Sequence, residues 1–241
     1  MDYSAESPAD YLVTYPEAIY DFIFEQQGER NLAWDVHTGH GKVAHRLAQS
    51  FDEVVATEPT GRIISGARTA PNLHYSVGDG TQTDLRKESV NLITVAQAYH
   101  RLSLTPFFSE VKRVAIPGSQ IAIWGFTLPK VGVEFDRIMN RLYKDTLGGY
   151  WGPEVVQLQH QYERLPFPFK NVKTVQKELS VYWSLADWTL FMESWSAVRH
   201  YVAQHRHSPI APLESLLPRL WGTSDTRQVN FTFFVKLGIV I

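Results

Sequence analysis

Apolar positions recur along this chain with two different spacings, and the way these alternate sets the expected fold class. Leu32–Val36, Val54–Ala56 and Val90–Ala96 are short apolar runs of the length of buried strands, the last broken only by Asn91 and Thr94. Tyr75 and Val77 fit a short third strand, and Gln120–Phe126 a fifth. Between them the spacing turns helical. Ile19, Phe22 and Ile23 share one face, and Val43, Ala44, Leu47 and Ala48 place a helix start near Lys42. A further helix is expected over Arg62–Arg68, and another over Pro106–Val114 with Phe107, Phe108, Val111 and Val114 inward. Strands alternating with helices predict an α/β domain built on a mostly parallel sheet.

Beyond Phe126 the pattern loosens. Val133, Ile138 and Leu142 keep helical spacing, then aromatics and glycines crowd into Leu147–Pro153, and Leu165–Phe169 alternates with prolines. Order returns with a sixth strand over Glu178–Trp183 and a helix capped by Asp187 that runs to about His205. Its buried stripe is Trp188, Phe191, Met192, Trp195 and Val198. A short helix over Leu213–Leu220 precedes the alternating Val229–Val240, which closes the sheet as an antiparallel seventh strand. The expected organisation is one domain over 1–241, with an N-terminal cap segment at 1–30 and an insertion at 127–171 lying over the carboxyl edge of the sheet.

The sharpest chemistry sits between the first two strands, in Asp35-Val-His-Thr-Gly-His-Gly41. Glycines there let backbone approach a ligand and take angles that a side chain forbids. Glu58, about twenty residues on and followed by Pro59, is the acid that such a unit uses to accept both hydroxyls of a ribose. Strand, glycine turn, helix, strand and acid together predict a nucleoside-containing cofactor.

Composition narrows the class. The 241 residues are 44% hydrophobic and 13% aromatic, enough for a packed core, so a folded globular enzyme is expected. A net charge of −2 with no lysine or arginine run argues against nucleic acid or an anionic membrane surface as partner. There are no cysteines, which excludes disulfides, thiolate metal sites and a cysteine nucleophile. The polar, acidic stretch Met1–Asp10 has no signal-peptide pattern, and no apolar run reaches the roughly 18 residues of a membrane span, so the cytosol is the expected location. Asp2–Ala9 is expected to be a mobile leader. Histidines at 37, 40 and 45, and at 200, 205 and 207, lack the spacing and carboxylate of a helical zinc site, so no metal is expected. No Gly-x-Ser-x-Gly elbow or Walker loop occurs, and a dinucleotide fingerprint would put Ala44 at its third glycine.

Asp35 to Gly41 with Glu58-Pro59 resembles the first two motifs of the class I S-adenosylmethionine-dependent methyltransferases. Within them the chain is most similar to the small-molecule branch that includes trans-aconitate methyltransferase, over Tyr11 to about Gly238. The resemblance implies a seven-stranded Rossmann-like sheet, S-adenosylmethionine as cofactor, and a small-molecule substrate under a lid at 127–171. It makes Tyr15, Asp35, His37, Gly39, Gly41, Glu58, Pro59, Asp79, Gly80 and Gln97 cofactor-binding candidates, with Asp79 and Gly80 at the adenine. An Asx turn at Asp79-Gly80 is the plainer reading. Gln97-Ala-Tyr-His100 is similar to a family stretch that puts His100 at the methyl group or the substrate, as base or as hydrogen-bond donor, with Tyr99 beside it. Arg101 replaces a family tryptophan and is a candidate ligand for an anionic substrate. Tyr11, Trp124, Tyr150, Trp151 and Trp195, the last in a family-like Trp-Ser-Ala-Val, complete the expected substrate site.

His37 stands where the family has glycine. With negative φ its imidazole turns aside or bonds the cofactor. With positive φ it fills the pocket, at a cost of about 1–3 kcal/mol. Two enzyme readings follow: methyl transfer to a carboxylate or hydroxyl oxygen of a small metabolite, or the same fold without methyl transfer, catalysing cyclisation or pericyclic chemistry on an apolar natural product with the cofactor passive or absent. A binding module without catalysis is the third.

Overall fold

The computed structural model describes residues 13–25, 27–152 and 155–241. The leader expected over Asp2–Ala9 and the candidate Tyr11 lie outside them. Seven strands form one sheet: β1 Leu32–Val36, β2 Glu53–Glu58, β3 Leu73–Val77, β4 Val90–Ala96, β5 Ala115–Phe126, β6 Lys170–Trp183 and β7 Arg227–Ile239. Their order is β3-β2-β1-β4-β5-β7-β6, and β7 runs antiparallel to both of its neighbours while β1 to β5 are parallel. This is the Rossmann-like sheet that the alternation of runs predicts.

Period-two geometry splits the core in two. Ala33 packs on one face of β1 with Val43, Ala44 and Leu47 of α2 (Lys42–Leu47), while Trp34 and Val36 pack on the other with Phe107, Val111 and Val114 of α4 (Leu104–Val114). The first face also receives α1 (Glu17–Phe24), whose Ile19 and Ile23 are fully buried. Continuous apolar runs in β1, β4 and β5 follow from burial on both faces.

Several expectations are corrected. The helix expected over Arg62–Arg68 ends early, as α3 (Gly61–Ile64), where Ser65 Oγ donates to Arg62 O at 2.8 Å and competes with the helical ladder. On α4 the half-buried Phe108 gives its inward place to Glu110, which accepts from Thr83 and from Arg113 at 2.7 Å. On α5 (Val133–Arg141) Val133 is 88% exposed, and the inward face is Phe135 and Met139, with Phe135 seated edge-on against Trp188 at 5.2 Å. Two further short helices follow the last parallel strand pair: α6 (Val156–Gln159) in the insertion and α9 (Leu217–Trp221), which begins at Pro218's turn where the missing N–H is harmless.

The long helix expected from Asp187 is two helices, α7 (Leu185–Glu193) and α8 (Ser196–His205). Ser184 is the N-cap, and Asp187 returns the bond three residues on, its carboxylate accepting from Ser184 N at 2.8 Å. The break comes at Trp195, whose backbone is extended. β6 begins at Lys170 rather than Glu178, because pairing with β7 holds an edge strand whose outer positions are polar. No helix among the described residues is long and apolar enough to cross a membrane.

Candidate active site

The strand order reverses between β1 and β4, and a crevice forms beyond the carboxyl ends of these strands. Two non-glycine residues leave those ends with left-handed backbone, His37 at φ 54° and Gln97 at φ 55°. Such conformations concentrate where a site demands them. The φ at His37 is positive, the condition attached to the second of its two readings.

The turn after β1 is tied by its own polar groups. Thr38 N donates to Thr57 O at 3.0 Å, and Gly39, at φ 57°, donates its N–H to Glu58 Oε2 at 3.1 Å. Glu58 Oε1 accepts from Thr60 N at 3.3 Å, so the acid at the tip of β2 spans the turn. Gly41, at φ 75°, lies under the Tyr75 ring: a Cβ there would stand 1.9 Å from the Tyr75 hydroxyl. Asp35 is buried, its two oxygens accepting from Thr94 Oγ1 and Thr38 Oγ1, each at 2.6 Å. Burial pushes its carboxyl up to about 6, against those two hydroxyls. Asp79 accepts from Thr81 N at 3.0 Å and Thr81 Oγ1 at 2.6 Å, both on Oδ1, which is the Asx turn. Gly80 is buried behind it and Pro59 is exposed.

The His37 ring feels the charges of Asp79 and Arg101, and it in turn acts on His100. Burial, helped by the Arg101 charge, pushes His37 down to about 4, while Asp79 beside it works the other way. Its Nε2 is buried without a hydrogen-bond partner. His100 is pushed down to about 3 by burial and then by Arg101 and His37. Its Nδ1 lies 3.0 Å from the Tyr162 hydroxyl.

Beside this cluster opens a cavity of about 310 Å³. Its lining includes Gln97, His100 and Arg101 from the end of β4 and Lys42 from the start of α2. Tyr15, Phe126, Tyr143, Trp151, Phe191 and Trp195 also line it, and none of the described lining residues is acidic. Tyr143 and Trp151 stack at 4.4 Å, Trp195 meets both at 5.7 and 5.8 Å, and Trp151 Nε1 donates to Tyr143 O at 2.9 Å. The insertion and the α7–α8 junction together make the apolar wall.

Three expected site residues are elsewhere. Tyr99 is fully buried behind its turn, donating to Pro166 O, so that His100 alone turns to the cavity. Trp124 points to the α1 face of β5, packed edge-on against Tyr15 at 5.7 Å. Tyr150 turns away from the cavity that Trp151 faces, its hydroxyl 2.5 Å from His205 Nε2 and its ring 4.9 Å from Tyr201 on α8. Residues not foreseen are Lys42, Tyr143, Ser194 and Tyr162. Only Lys42 had a signal, as the first residue of the helix after the glycine turn. Among the described residues no group of three His, Asp or Glu could hold a metal ion.

Comparison with known proteins agrees with this geometry. Residues 34–123, from β1 through β5, match the family described as a methyltransferase domain. A solved structure described as a type II methyltransferase from Anaeromyxobacter dehalogenans superposes with a TM-score of 0.86 at 30% identity, over 94% of this chain and 97% of that one. A Dictyostelium discoideum protein named as a methyltransferase is 28% identical over 97% of this chain and 92% of its own length. A Bacillus halodurans structure shares the fold alone, at 19% identity and a TM-score of 0.51 over 92% of this chain and 98% of its own. Matched from end to end by a relative of this kind, with the methyltransferase domain falling on the strands that carry the turn and Glu58, the chain belongs to the class I S-adenosylmethionine-dependent methyltransferases.

Proposed function

We propose that this enzyme methylates an oxygen, in a carboxylate or hydroxyl group, of a small metabolite with an apolar or aromatic body. The observation that carries the reading is the mixed lining of the cavity: cations and donors from the end of β4 and the start of α2, several aromatic rings, and no acid among the described lining residues. Lys42 and Arg101 attract an anionic oxygen, and the rings bind its apolar part and exclude water. A compact tricarboxylate of the trans-aconitate kind suits the cations but wastes the aromatic wall. An aromatic or long-chain monoacid uses both.

The residues present fit S-adenosylmethionine. Each Glu58 oxygen accepts one main-chain N–H and keeps lone pairs for a ribose hydroxyl, both Asp79 bonds fall on Oδ1, and the side of Gly39 is open, with nothing within 4 Å of an added Cβ. His37 is the departure from the family pattern, a left-handed residue bearing a largely buried ring near Asp79 and His100. When bound, the cofactor supplies an electrophilic methyl group on sulfur. This chain's part is to align the accepting oxygen, neutralise its charge and keep the cavity dry.

Calorimetric titration with S-adenosylmethionine and then S-adenosylhomocysteine tests the cofactor. Dissociation constants of about 1–100 μM are expected, followed by methyl-ester or methyl-ether formation in a mass-spectrometric screen of carboxylic acids and phenols. Absence of binding by either compound overturns the proposal. It would move the reaction to cofactor-free cyclisation or pericyclic chemistry in the aromatic cavity, the reading that the intrusion of His37 favours.

A further inference from the structure

Tyr162 reaches His100 from a strained stretch of backbone. Gln161 and Tyr162 both hold left-handed φ, at 51° and 57°, although neither is glycine. The turn is closed by Tyr162 N donating to Gln157 O at 2.9 Å, and it drives the ring fully into the core against Tyr99 at 5.4 Å and Phe234 at 5.2 Å. Only there does the hydroxyl come within 3.0 Å of His100 Nδ1.

A buried hydroxyl has one proton to give and must give it to an acceptor. The buried Tyr162 hydroxyl has His100 Nδ1 as its hydrogen-bond partner, so its proton points to Nδ1. With a proton on Nδ1 instead, the hydroxyl proton would be stranded in the core. Burial keeps the tyrosine protonated and the imidazole neutral. A neutral ring has one N–H, which then sits on Nε2, the edge turned from Tyr162 on a residue that lines the cavity.

We propose that Tyr162 is a positioning residue that holds His100 in its Nε2–H tautomer, so that His100 donates a hydrogen bond to the methyl-accepting oxygen and does not remove its proton. This inference rests on the methyl-transfer reading and narrows it to acceptors that arrive ionised. A carboxylate oxygen forms its bond to the methyl carbon as the carbon–sulfur bond breaks onto sulfur, and no proton moves. A phenol, with a pKa near 10, lacks a base in this arrangement.

The test is nitrogen-15 NMR of the full chain labelled at histidine, with His100 assigned by its loss in His100→Gln. The expected spectrum shows a pyrrole-type Nε2 and a pyridine-type Nδ1, and Tyr162→Phe averages the two. The same variant lowers kcat for carboxylic acids about twofold, in proportion to the lost Nε2–H population, with KM little changed. A protonated Nδ1 in the wild-type protein overturns the inference, and so does an unchanged tautomer in Tyr162→Phe. Should that variant fail to fold, the wild-type spectrum decides alone. The spectrum needs neither cofactor nor substrate, so it stays readable if methyl transfer fails. Methyl transfer by a protein with protonated Nδ1 would remove only this inference.

Discussion

Two unlike regions meet above the carboxyl edge of the sheet. The proposed cofactor side is made of turns and carboxylates that satisfy one another: Asp35 with two threonine hydroxyls, Glu58 with Gly39 and Thr60, Asp79 with Thr81. The proposed substrate side is held by rings, with Trp195 meeting Tyr143 and Trp151 from a later segment of the chain. The first region is directional, and its geometry depends on backbone angles. The second is held by packing, and its shape depends on volume. Damage should therefore take different forms in the two: strain and misaimed donors on one side, voids and loosened walls on the other.

Trp195→Ala should show the larger loss. It removes a ring that is 8% exposed where α7 gives way to α8, and about 3–5 kcal/mol of stability is expected to go, measured by urea denaturation. Next comes a paired test in the glycine turn. Gly41→Ala adds a left-handed side chain against the Tyr75 hydroxyl and should cost about 2–4 kcal/mol, whereas Gly39→Ala meets only backbone strain and should cost about 1. Equal losses would show that the Tyr75 contact does not constrain the turn.

Acid tests both regions at once. His37 and His100 have folded pKa values near 4 and 3, below the ordinary 6.5, so the stability they contribute is present above about pH 6.5 and lost as pH falls toward 4. Asp35 has the opposite sign: its folded value near 6 lies above the ordinary 3.8, so its contribution is full below about 3.8 and is lost as pH rises through 6. A net loss on the order of 2–3 kcal/mol between pH 6.5 and 4 is expected. Asp35→Asn should steepen it and His100→Gln should flatten it, in urea titrations at several pH values. The smallest effect sharpens the comparison most. His37→Gly relieves the left-handed backbone and clears the ring, so S-adenosylmethionine should bind roughly 5- to 150-fold tighter by calorimetry, about 1–3 kcal/mol. Weaker binding would make His37 a cofactor ligand.

The contrast also explains what the chain disclosed when read as letters. Asp35, Gly39, Gly41 and Glu58 lie within one strand–turn–helix–strand unit, where glycines and an acid at fixed spacing have few other uses. Trp124 was misplaced because β5 is buried on both faces, so its apolar run carries no sign of which residue points where. Tyr99 and Tyr150 failed for a related reason: a cluster rich in aromatics does not say which of two adjacent rings faces the cavity. Tyr162 left no trace at all, because its role comes from two left-handed residues that no glycine announces. The break at Trp195 was equally silent, since Ser194 is no helix breaker, and its Oγ bond to Phe191 O at 2.6 Å forms only once the turn exists.

The sheet order has a consequence for how the chain assembles. β7 is made after β6 yet lies between β5 and β6, hydrogen-bonded to both along most of its length. β6 therefore has no partner to pair with until β7 has been synthesised, and the insertion between β5 and β6 stays tethered at one end only. Such pairing between distant segments is slow, because a long loop must close before any contact rewards it. The first five strands can form during synthesis, giving a nascent chain with five of the seven strands and an open edge at β5. That edge is covered only when the last strand of the chain arrives.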